Sequence, residues 1–349
     1  MSQNITKLSS ISASNLAPLH LPDSATLETK SLSELYENAF LSGRSIIDDL
    51  LFPGVYLLVG DSKIGKSFLV SQLAFHVAAG TPVWEKAVAK SAVLYLALED
   101  QYARIQQRMY RMFGTEESAD LHFAVQANLL GNGLEKQLEA FVSDHKNTRL
   151  IIIDTLQKIR SGSDAYSYAK DYEVISELKS FAEKYALCLL LIHHTRKQNS
   201  SDPFGKINGT TGLMGAADGV WLLTKDCRTS NFATLEISGR DQPDTKILLE
   251  RDPETLRWNL VSMETDLWKT PSDSLLALLS EKLNETGESW NGTATELASF
   301  LGTDLKPNTL SMKLNINASI LLHEYKIAVR ISRNHSGRWI ELQRVGDDP

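Results

Sequence analysis

The amino-acid sequence predicts an α/β protein with a central, mostly parallel, twisted and doubly wound sheet, followed by a smaller C-terminal domain. Short apolar runs alternate with amphipathic helical runs over most of the chain, which is typical of a parallel sheet covered by helices. Several apolar runs end in polar or charged side chains, and such sheets bind ligands at the carboxyl ends of their strands. From about residue 272 the pattern changes to short helices and one hairpin, which indicates a second domain.

Length, composition and charge are those of an ordinary globular protein. The 349 residues leave room for about two domains, and 42% of them are hydrophobic. The net charge of −7 gives no overall attraction to nucleic acid, so any DNA contact must use a local basic patch. The cysteines, Cys188 and Cys227, suit a reducing compartment, and there is neither a run of ~20 apolar residues nor a signal pattern. We therefore expect a cytoplasmic protein without a membrane partner.

Shifts in composition divide the chain into three segments. Residues 1–30 are rich in Ser, Asn and Thr and show no periodicity, so we expect a flexible N-terminal tail. Residues 31–269 carry the alternating strands and helices of the main domain. The sequence at 269–272 breaks this pattern, and residues 272–349 form the predicted second domain.

A glycine-bounded loop is the most informative motif of the sequence. An apolar run at residues 55–59 ends at Gly60, and an amphipathic helix begins just after Ser67. The spacing G-x-x-x-x-G-K-[ST] is formed by Gly60, Gly65, Lys66 and Ser67. Such a loop points its N–H groups at an anion, and the following helix dipole favours the same charge. We predict a triphosphate site in which Lys66 reaches the β- and γ-phosphates and Ser67 binds Mg²⁺. A chance glycine turn is the alternative. The predicted nucleotide-binding residues are Gly60, Asp61, Ser62, Lys63, Ile64, Gly65, Lys66, Ser67 and Phe68.

The remaining elements of the main domain follow from apolar periodicity. A helix capped by Ser31 or Ser33 is predicted over residues 31–42. Further strands are predicted at 92–98, 121–125, 150–153 and 187–192, with helices at 102–113, 134–145 and 171–185. A long polar loop at 195–212 has the length of a functional segment. Short strands that extend the sheet are predicted at 220–223, 234–237, 246–250 and 257–260.

Polar residues follow three of the predicted strands at the edge where ligands bind. Asp154 can accept hydrogen bonds from Mg²⁺-bound water and from the loop hydroxyl, or alternatively cap the next segment. Glu99 can orient or deprotonate an attacking water; Asp100 competes for this role, and a solvated acidic turn is the alternative. His194 can sense the γ-phosphate by hydrogen bonding, or be structural. No further Cys or His stands at metal spacing from this histidine, so we predict no metal site there.

Four stretches together resemble the RecA-type ATPases, and within them the RepA family of hexameric plasmid replicative helicases. They are residues 60–67, 94–100, 150–154 and 191–194, and the resemblance spans roughly residues 45–260. It implies a RecA-like fold, ATP and Mg²⁺ as cofactors, and a homo-oligomeric ring, a hexamer, that acts on single-stranded DNA. It also implies that Glu99 is the catalytic base.

The resemblance further implies a DNA-contacting loop and an arginine finger, an arginine that acts on the ATP of a neighbouring subunit. His194 stands where related proteins carry a glutamine that couples nucleotide state to the DNA-binding loop, here residues 195–212. Candidate phosphate contacts in that loop are Arg196, Lys197 and Lys206. Arg240 is similar to the arginine of a Lys-x-Arg element that reaches the neighbour's γ-phosphate. Ser238 stands where many helicases carry the lysine, and an ordinary turn arginine is the alternative.

The second domain is predicted to be a winged helix. A Leu-rich helix after Asp273 is followed by helices at 293–300 and 307–322 and by a hairpin with strands at 327–331 and 339–342. Residues 305–344 contain seven basic and only two acidic residues, which favours contact with duplex DNA. The candidate contacts are Lys306, Lys313, Arg333 and Arg338. Many winged helices bind proteins instead, and this alternative stays open.

These patterns together predict a Mg²⁺-dependent ATPase, a RepA-like helicase that acts as a ring in the replication of a plasmid or other mobile element. An ATP-switched regulatory DNA-binding protein without unwinding activity is the first alternative. A small-molecule kinase with a phosphate loop is the second. Such kinases normally need an arginine-bearing lid over the phosphates. The predicted helix with Arg104, Arg108 and Arg111 is a poor lid because it opens directly from a strand.

Overall fold

A computed structural model describes residues 27, 29–40, 43–160, 168–194, 211–240, 242–266, 273–286, 289–334 and 337–345. Its helices are α1 Leu32–Glu37, α2 Lys66–Ala79, α3 Tyr102–Phe113, α4 Leu134–Asp144, α5 Tyr168–Tyr185, α6 Thr211–Ala216, α7 Ser274–Thr286, α8 Ala294–Leu301, α9 Pro307–Ile316 and α10 Ala318–His323. Its strands are β1 Gly54–Gly60, β2 Ala92–Ala97, β3 Leu121–Ala124, β4 Thr148–Asp154, β5 Cys188–His194, β6 Gly219–Thr224, β7 Phe232–Gly239, β8 Thr245–Arg251, β9 Trp258–Thr265, β10 Ser289–Thr293, β11 Ile327–Asn334 and β12 Gly337–Arg344. Most of the predicted N-terminal tail lies outside the described residues.

A nine-stranded sheet forms the larger unit, in the order β3-β2-β4-β5-β1-β6-β7-β8-β9. The strands from β3 to β6 in this order run parallel, while β7, β8 and β9 continue the sheet in antiparallel fashion. The prediction of an α/β fold with a mostly parallel sheet is therefore confirmed. Each predicted strand of this unit is present, and β9 is longer than its prediction because it pairs along β8.

Strand β1 lies inside the parallel part of the sheet, and all seven of its residues are buried. Alternate side chains enter different cores: Tyr56 and Leu58 pack with α2, while Val55 and Leu57 pack with α4 and α5. Helices thus cover both faces of the sheet, as a doubly wound arrangement requires. The register pairs Gly60 with His194 across β1 and β5, so these carboxyl ends lie side by side.

A second compact unit contains α1 together with the elements from α7 to β12. Its sheet has the order β10-β12-β11, and leucines of α7, α8 and α9 fill its core. The sequence assigns α1 to the main domain, but the structure groups it with this second unit. Arg338 of β12 pairs with Glu37 at 2.8 Å, and Asn315 of α9 donates to the Tyr36 carbonyl at 3.1 Å. Such long-range polar contacts leave no trace in sequence periodicity.

Several local features differ from the sequence prediction. Helix α1 is only six residues long, although its predicted cap Ser31 forms a full capping box with Glu34. The single helix predicted over 307–322 is divided at Asn317 into α9 and α10. Strand β10 is not predicted, because Trp290 is its only large apolar residue. Among the described helices, none has the length and apolar character needed to cross a bilayer.

Trp258, the first residue of β9, joins the antiparallel end of the sheet to α2. The buried Gln72 side chain donates to the Trp258 carbonyl at 2.9 Å and accepts from its N–H at 2.7 Å. The same carbonyl also accepts from the Trp84 indole at 2.8 Å. Gln72 therefore supplies the side-chain partner of the Trp258 N–H.

We expect the substitution Gln72→Leu to lower the free energy of unfolding of the larger unit by about 1–3 kcal/mol, measured by urea denaturation. The apolar side chain leaves the buried Trp258 N–H without its partner. Gln106→Leu on the exposed side of α3 is the matched control and should leave the stability unchanged. Equal losses in the two variants would contradict this account.

Candidate functional site

The loop between β1 and α2 has the backbone geometry of an anion site. Gly65 adopts a φ of 115°, which other residues rarely adopt, and Lys63 also has a positive φ of 66°. A Cβ on Gly60 would lie 2.6 Å from the Leu223 carbonyl oxygen, so the close approach of β6 requires glycine there. Gly65 caps α2 without a side-chain hydrogen bond. The first N–H groups of α2 are therefore available to an anion.

Lys66 is buried beneath this loop with only 4% of its surface exposed. Its Nζ donates to the carbonyls of Gly60 at 2.7 Å and Asp61 at 2.8 Å, and it lies 3.0 Å from His194 Nδ1. Burial lowers the pKa of Lys66 from 10.5 to about 8, although Asp154, Asp61 and Glu99 oppose this shift. The ammonium group is thus held by neutral acceptors, and an anionic ligand would stabilise its charge.

His194 lies directly beside Lys66, where the sequence predicts contact with a phosphate. Burial lowers the pKa of His194 below 6.5, and the charge of Lys66 adds to this effect. The imidazole is therefore neutral near pH 7. Since the ammonium of Lys66 is a donor, Nδ1 accepts and we assign the proton to Nε2, which is left to donate to a ligand.

Ser67, Asp154 and Tyr95 form a hydrogen-bonded group next to the loop. The Ser67 hydroxyl donates to Asp154 Oδ2 at 2.8 Å, and the buried Tyr95 hydroxyl donates to the same oxygen at 2.9 Å. Hydroxyl and carboxylate oxygens fit Mg²⁺, which keeps several waters and takes its other ligands from substrate phosphates. No group of three or more His, Cys, Asp or Glu side chains suited to a metal occurs in the described part of the chain.

The role of Tyr95 is absent from the sequence prediction. In the sequence, Tyr95 is one residue of the apolar run that forms β2. The one available signal for its role is that the hydroxyl of a buried tyrosine needs a hydrogen-bond partner. Burial raises the pKa of Tyr95, and the nearby charge of Asp154 raises it further. Tyr95 therefore stays a hydrogen-bond donor that orients the Asp154 carboxylate.

The two acidic residues after β2 have different surroundings. Glu99 is exposed, and its Oε1 accepts one hydrogen bond, from Thr155 Oγ1 at 3.2 Å. Asp100 instead forms ion pairs with Arg108 at 2.5 Å and Arg104 at 3.4 Å on α3. Two arginines thus occupy the oxygens of Asp100, which leaves them less available to a water. The geometry favours Glu99 over Asp100 as the base.

The arginines of α3 are all engaged within the chain. Arg104 and Arg108 bind Asp100, and Arg111 donates to the carbonyls of Pro253 and Glu254 at 3.1 and 2.8 Å. A lid over phosphates needs cations that are free to close on the ligand. The kinase alternative has no support from this helix.

Arg240 lies far from this constellation within one chain. It follows β7, whose end at Gly239 pairs with Gly219 at the start of β6, and its N–H donates to the Asp218 carbonyl at 2.9 Å. Because β6 is parallel to β1, this is the edge of the sheet opposite to the phosphate loop. Only a second copy of the chain could bring Arg240 to a phosphate loop.

The predicted DNA contacts fall into three groups. Arg196, Lys197 and Lys206 lie outside the described residues. Lys306 is exposed at the start of α9, and Arg333 lies in β11. Lys313 and Arg338, in contrast, form ion pairs with Asp273 at 2.7 Å and Glu37 at 2.8 Å. These two cations are already paired within the second unit, which the local basic charge of the sequence did not reveal.

Comparison with known proteins identifies the family and the fold. A family model described as an AAA domain, AAA_25, matches residues 24–200, half of the chain. No curated protein matches. One solved structure, an ATPase domain, has a TM-score of 0.50 and 13% identity, and the alignment covers 60% of this chain and 85% of that domain. At this identity the likeness shows the fold, an α/β fold consistent with RecA-like ATPases.

Two other solved structures align with lower scores. A DnaB-like replicative helicase, solved with its interactions with primase, has a TM-score of 0.47 and 14% identity, with 60% of this chain and 59% of that chain covered. The KaiC-like protein PH0186 from the hyperthermophilic archaeon Pyrococcus horikoshii OT3 has a TM-score of 0.46 and 14% identity, with 64% and 99% covered.

The lowered pKa of Lys66 predicts a specific dependence of stability on pH in the ligand-free protein. Between about pH 8 and 10.5 the unfolded chain still holds a proton that folded Lys66 has released, so the free energy of unfolding rises with pH. A shift of this size corresponds to a gain of about 3 kcal/mol. Other buried groups titrate in both proteins, so the contribution of Lys66 is the difference in unfolding free energy between the wild type and Lys66→Met, measured by urea denaturation. This difference should grow in favour of the wild type between about pH 8 and 10.5; parallel profiles would contradict the lowered pKa.

Proposed function

The chain belongs to the AAA_25 family of AAA domains, and we propose that it is a Mg²⁺-dependent ATP hydrolase, a RepA-like replicative DNA helicase. It acts as a homo-oligomeric ring, a hexamer, on single-stranded DNA in the replication of a plasmid or other mobile element. One observation supports this proposal: the side chains that we propose to bind, hydrolyse and sense a triphosphate lie together at one edge of the sheet. They are Lys66, the Ser67–Asp154 pair, Glu99 and His194.

Each of these side chains has a role in ATP hydrolysis. Lys66 binds the β- and γ-phosphates, and it leaves the loop carbonyls to do so. Ser67 and Asp154 would hold Mg²⁺, and the ion would neutralise charge that develops on the phosphates. Glu99 orients the attacking water and accepts its proton, since no arginine among the described residues pairs with its carboxylate.

His194 is proposed to report the state of the nucleotide. Its Nδ1 contacts Lys66, so its Nε2–H can donate to the γ-phosphate. The next residues of the chain, 195–212, are the predicted DNA-contacting loop with Arg196, Lys197 and Lys206. Loss of the γ-phosphate removes one partner of His194, and the change reaches the loop through the backbone that directly follows it.

The opposite placement of Arg240 and the phosphate loop supports assembly into a ring. In a head-to-tail contact, different surfaces of two copies meet, and such contacts form a ring when the rotation between successive copies closes. One copy then offers its phosphate loop and the next offers Arg240 from the other edge of its sheet. Arg240 would stabilise the transition-state charge of its neighbour's ATP.

The second unit is proposed to be a winged helix that binds duplex DNA. Its element order is helix, strand, three successive helices and a hairpin, from α7 to β12. Lys306 is exposed at the start of α9 and is the candidate contact with the clearest access. Since Lys313 and Arg338 are paired, their contacts with DNA phosphates require exchange of these ion pairs.

The proposed function predicts that single-stranded DNA stimulates ATP hydrolysis strongly, in an assembly whose mass in ATP is that of about six chains. Hydrolysis rates with and without DNA, measured beside the mass of the assembly, test this directly. Slow hydrolysis with ATP-dependent affinity for one duplex sequence would favour the regulatory DNA-binding protein. A monomer without any response to DNA would contradict both.

Replacement of Glu99 with Gln should reduce hydrolysis by at least about 10²-fold while ATP still binds, because the amide cannot accept the proton. Asp100→Asn is the matched control, since Asp100 is paired with Arg104 and Arg108. Hydrolysis rates and ATP affinities of both variants are measured by phosphate release and calorimetry. Unchanged turnover in Glu99→Gln, or an equal loss in Asp100→Asn, would remove Glu99 from this role.

A mixture of Arg240→Ala and Lys66→Ala subunits should recover part of the activity that each variant lacks alone. In the mixed ring, an intact phosphate loop from one subunit meets an intact Arg240 from the next. The control pairs Arg240→Ala with the double variant, which forms no complete site. ATP hydrolysis after mixing is measured, and equal rates in both mixtures would exclude action across subunits.

A further inference from the structure

A buried polar pair, Tyr56 and Gln242, lies at the edge of the sheet that carries Arg240. Tyr56 belongs to β1, and Gln242 lies in the connection between β7 and β8. Both side chains are almost fully buried, with 4% and 3% of their surfaces exposed. The Tyr56 hydroxyl donates to Gln242 Oε1 at 3.0 Å. This hydrogen bond joins the connection that begins at Arg240 to the strand that ends in the phosphate loop.

Two glycines make the space for this pair. Gly219 and Gly239 are direct partners across β6 and β7. A Cβ on Gly219 would lie 2.5 Å from Tyr56 Cε1, and a Cβ on Gly239 would lie 2.5 Å from Gln242 Cγ. A side chain at either glycine position would therefore displace one partner of the hydrogen bond.

A second anchor holds Arg240 through Asp218. The Arg240 N–H donates to the Asp218 carbonyl at 2.9 Å. The Asp218 carboxylate in turn accepts from the Val55 N–H at 2.9 Å and from the ammonium group of Lys179. The backbone at Arg240 and the connection that follows it are thus both tied to β1, at the consecutive residues Val55 and Tyr56.

The pair of Tyr56 and Gln242 is not the most stable way to fill this part of the core. Gln242 Nε2 is buried and has no hydrogen-bond partner among the residues that the structure describes. A buried donor in this state lowers stability, whereas two apolar side chains of similar shape would leave no donor unpaired. Stability alone therefore does not account for the pair. A directional hydrogen bond instead fixes one position of the connection.

Arg240 is the residue of this connection that can meet another molecule. Its side chain is exposed and lines an open cleft together with Asp218 and Gly239. Because the neighbouring backbone is anchored to β1, only the long Arg240 side chain has to be ordered when a ligand approaches. Fewer groups to be ordered means a smaller loss of conformational entropy on contact.

We propose that Tyr56 and Gln242 are positioning residues for Arg240. They hold its backbone at the place from which the guanidinium reaches the triphosphate of a neighbouring copy. This inference rests on the proposed function, in which Arg240 acts across subunits. Displacement of such a group by about 1 Å can lower a rate by as much as ~10²-fold, so the anchor matters although it touches no ligand.

The substitution Tyr56→Phe removes one hydroxyl and tests this assignment in the full-length protein. We expect kcat for ATP hydrolysis to fall about tenfold, while the ATP affinity measured by calorimetry stays unchanged because the phosphate loop is intact. Thr148→Val is the matched control: it removes a buried hydroxyl that donates to the His145 carbonyl at the same edge of the sheet, and kcat should not change. Unchanged kcat in Tyr56→Phe, equal losses in the two variants, or a loss of ATP affinity would overturn the assignment.

The double variant Tyr56→Phe with Gln242→Leu separates positioning from stability. Both polar groups are replaced by apolar ones, so stability to urea should equal or exceed that of the wild type. The kcat should nevertheless stay low, since no directional bond then fixes the connection. Recovery of the wild-type kcat would show that Tyr56→Phe acts through stability, and it would overturn the proposal.

Mixtures with Lys66→Ala subunits separate this inference from the proposed function. Gln242→Leu subunits keep the phosphate loop, so after mixing they should gain activity from the intact Arg240 of Lys66→Ala neighbours, as Arg240→Ala subunits do. The rate should exceed the sum of the separate rates; the control mixture contains Gln242→Leu with its double variant that also carries Lys66→Ala. Gain with Arg240→Ala but none with Gln242→Leu would remove only the positioning role. Full activity of Arg240→Ala alone would show that action across subunits itself is wrong.

Discussion

The site depends on one unusual charge, the buried ammonium group of Lys66. Neutral acceptors hold it: two loop carbonyls and the imidazole of His194. The carboxylates of Asp154 and Glu99 act on it only through space, and burial outweighs them. The fold therefore buries a cation beside a loop whose N–H groups favour an anion. A phosphate group bound there would offset the electrostatic cost of burying the Lys66 ammonium. This arrangement depends on the loop backbone, on the register of β1 with β5 and on the neutral state of His194.

The two parts of the sheet contribute different residues to the candidate site. The parallel strands β2, β4 and β5 bring Glu99, Asp154 and His194 to one edge, which is the proposed place of chemistry on a terminal phosphate. The antiparallel strands β7, β8 and β9 contribute packing and positive charge instead. Trp258 rests on Gly65 and Arg251 lies over Phe68, so this extension is part of the site's wall as well as of the core.

The sequence was sufficient for those features that depend on spacing and on strand ends. The loop motif, and the placement of Asp154 and His194 after apolar runs, follow from the rule that parallel strands share one carboxyl edge. Contacts between distant residues could not be predicted, because periodicity carries no information on them. The bond from Tyr95 to Asp154 and the pairing of Lys313 with Asp273 are of this kind. The grouping of α1 with the second unit has the same origin.

The contact between Trp258 and Gly65 gives the protein an optical property. The indole ring lies against the turn that precedes Lys66, and its N–H points to the Gly65 carbonyl. Indole emission depends on the polarity and charge around the ring, and a triphosphate in the loop changes both. Trp258 is therefore an intrinsic fluorophore beside the proposed nucleotide site. Because the chain has six tryptophans, the part of an emission change that is lost when Trp258 is replaced by Phe reports occupancy of the loop without any added label.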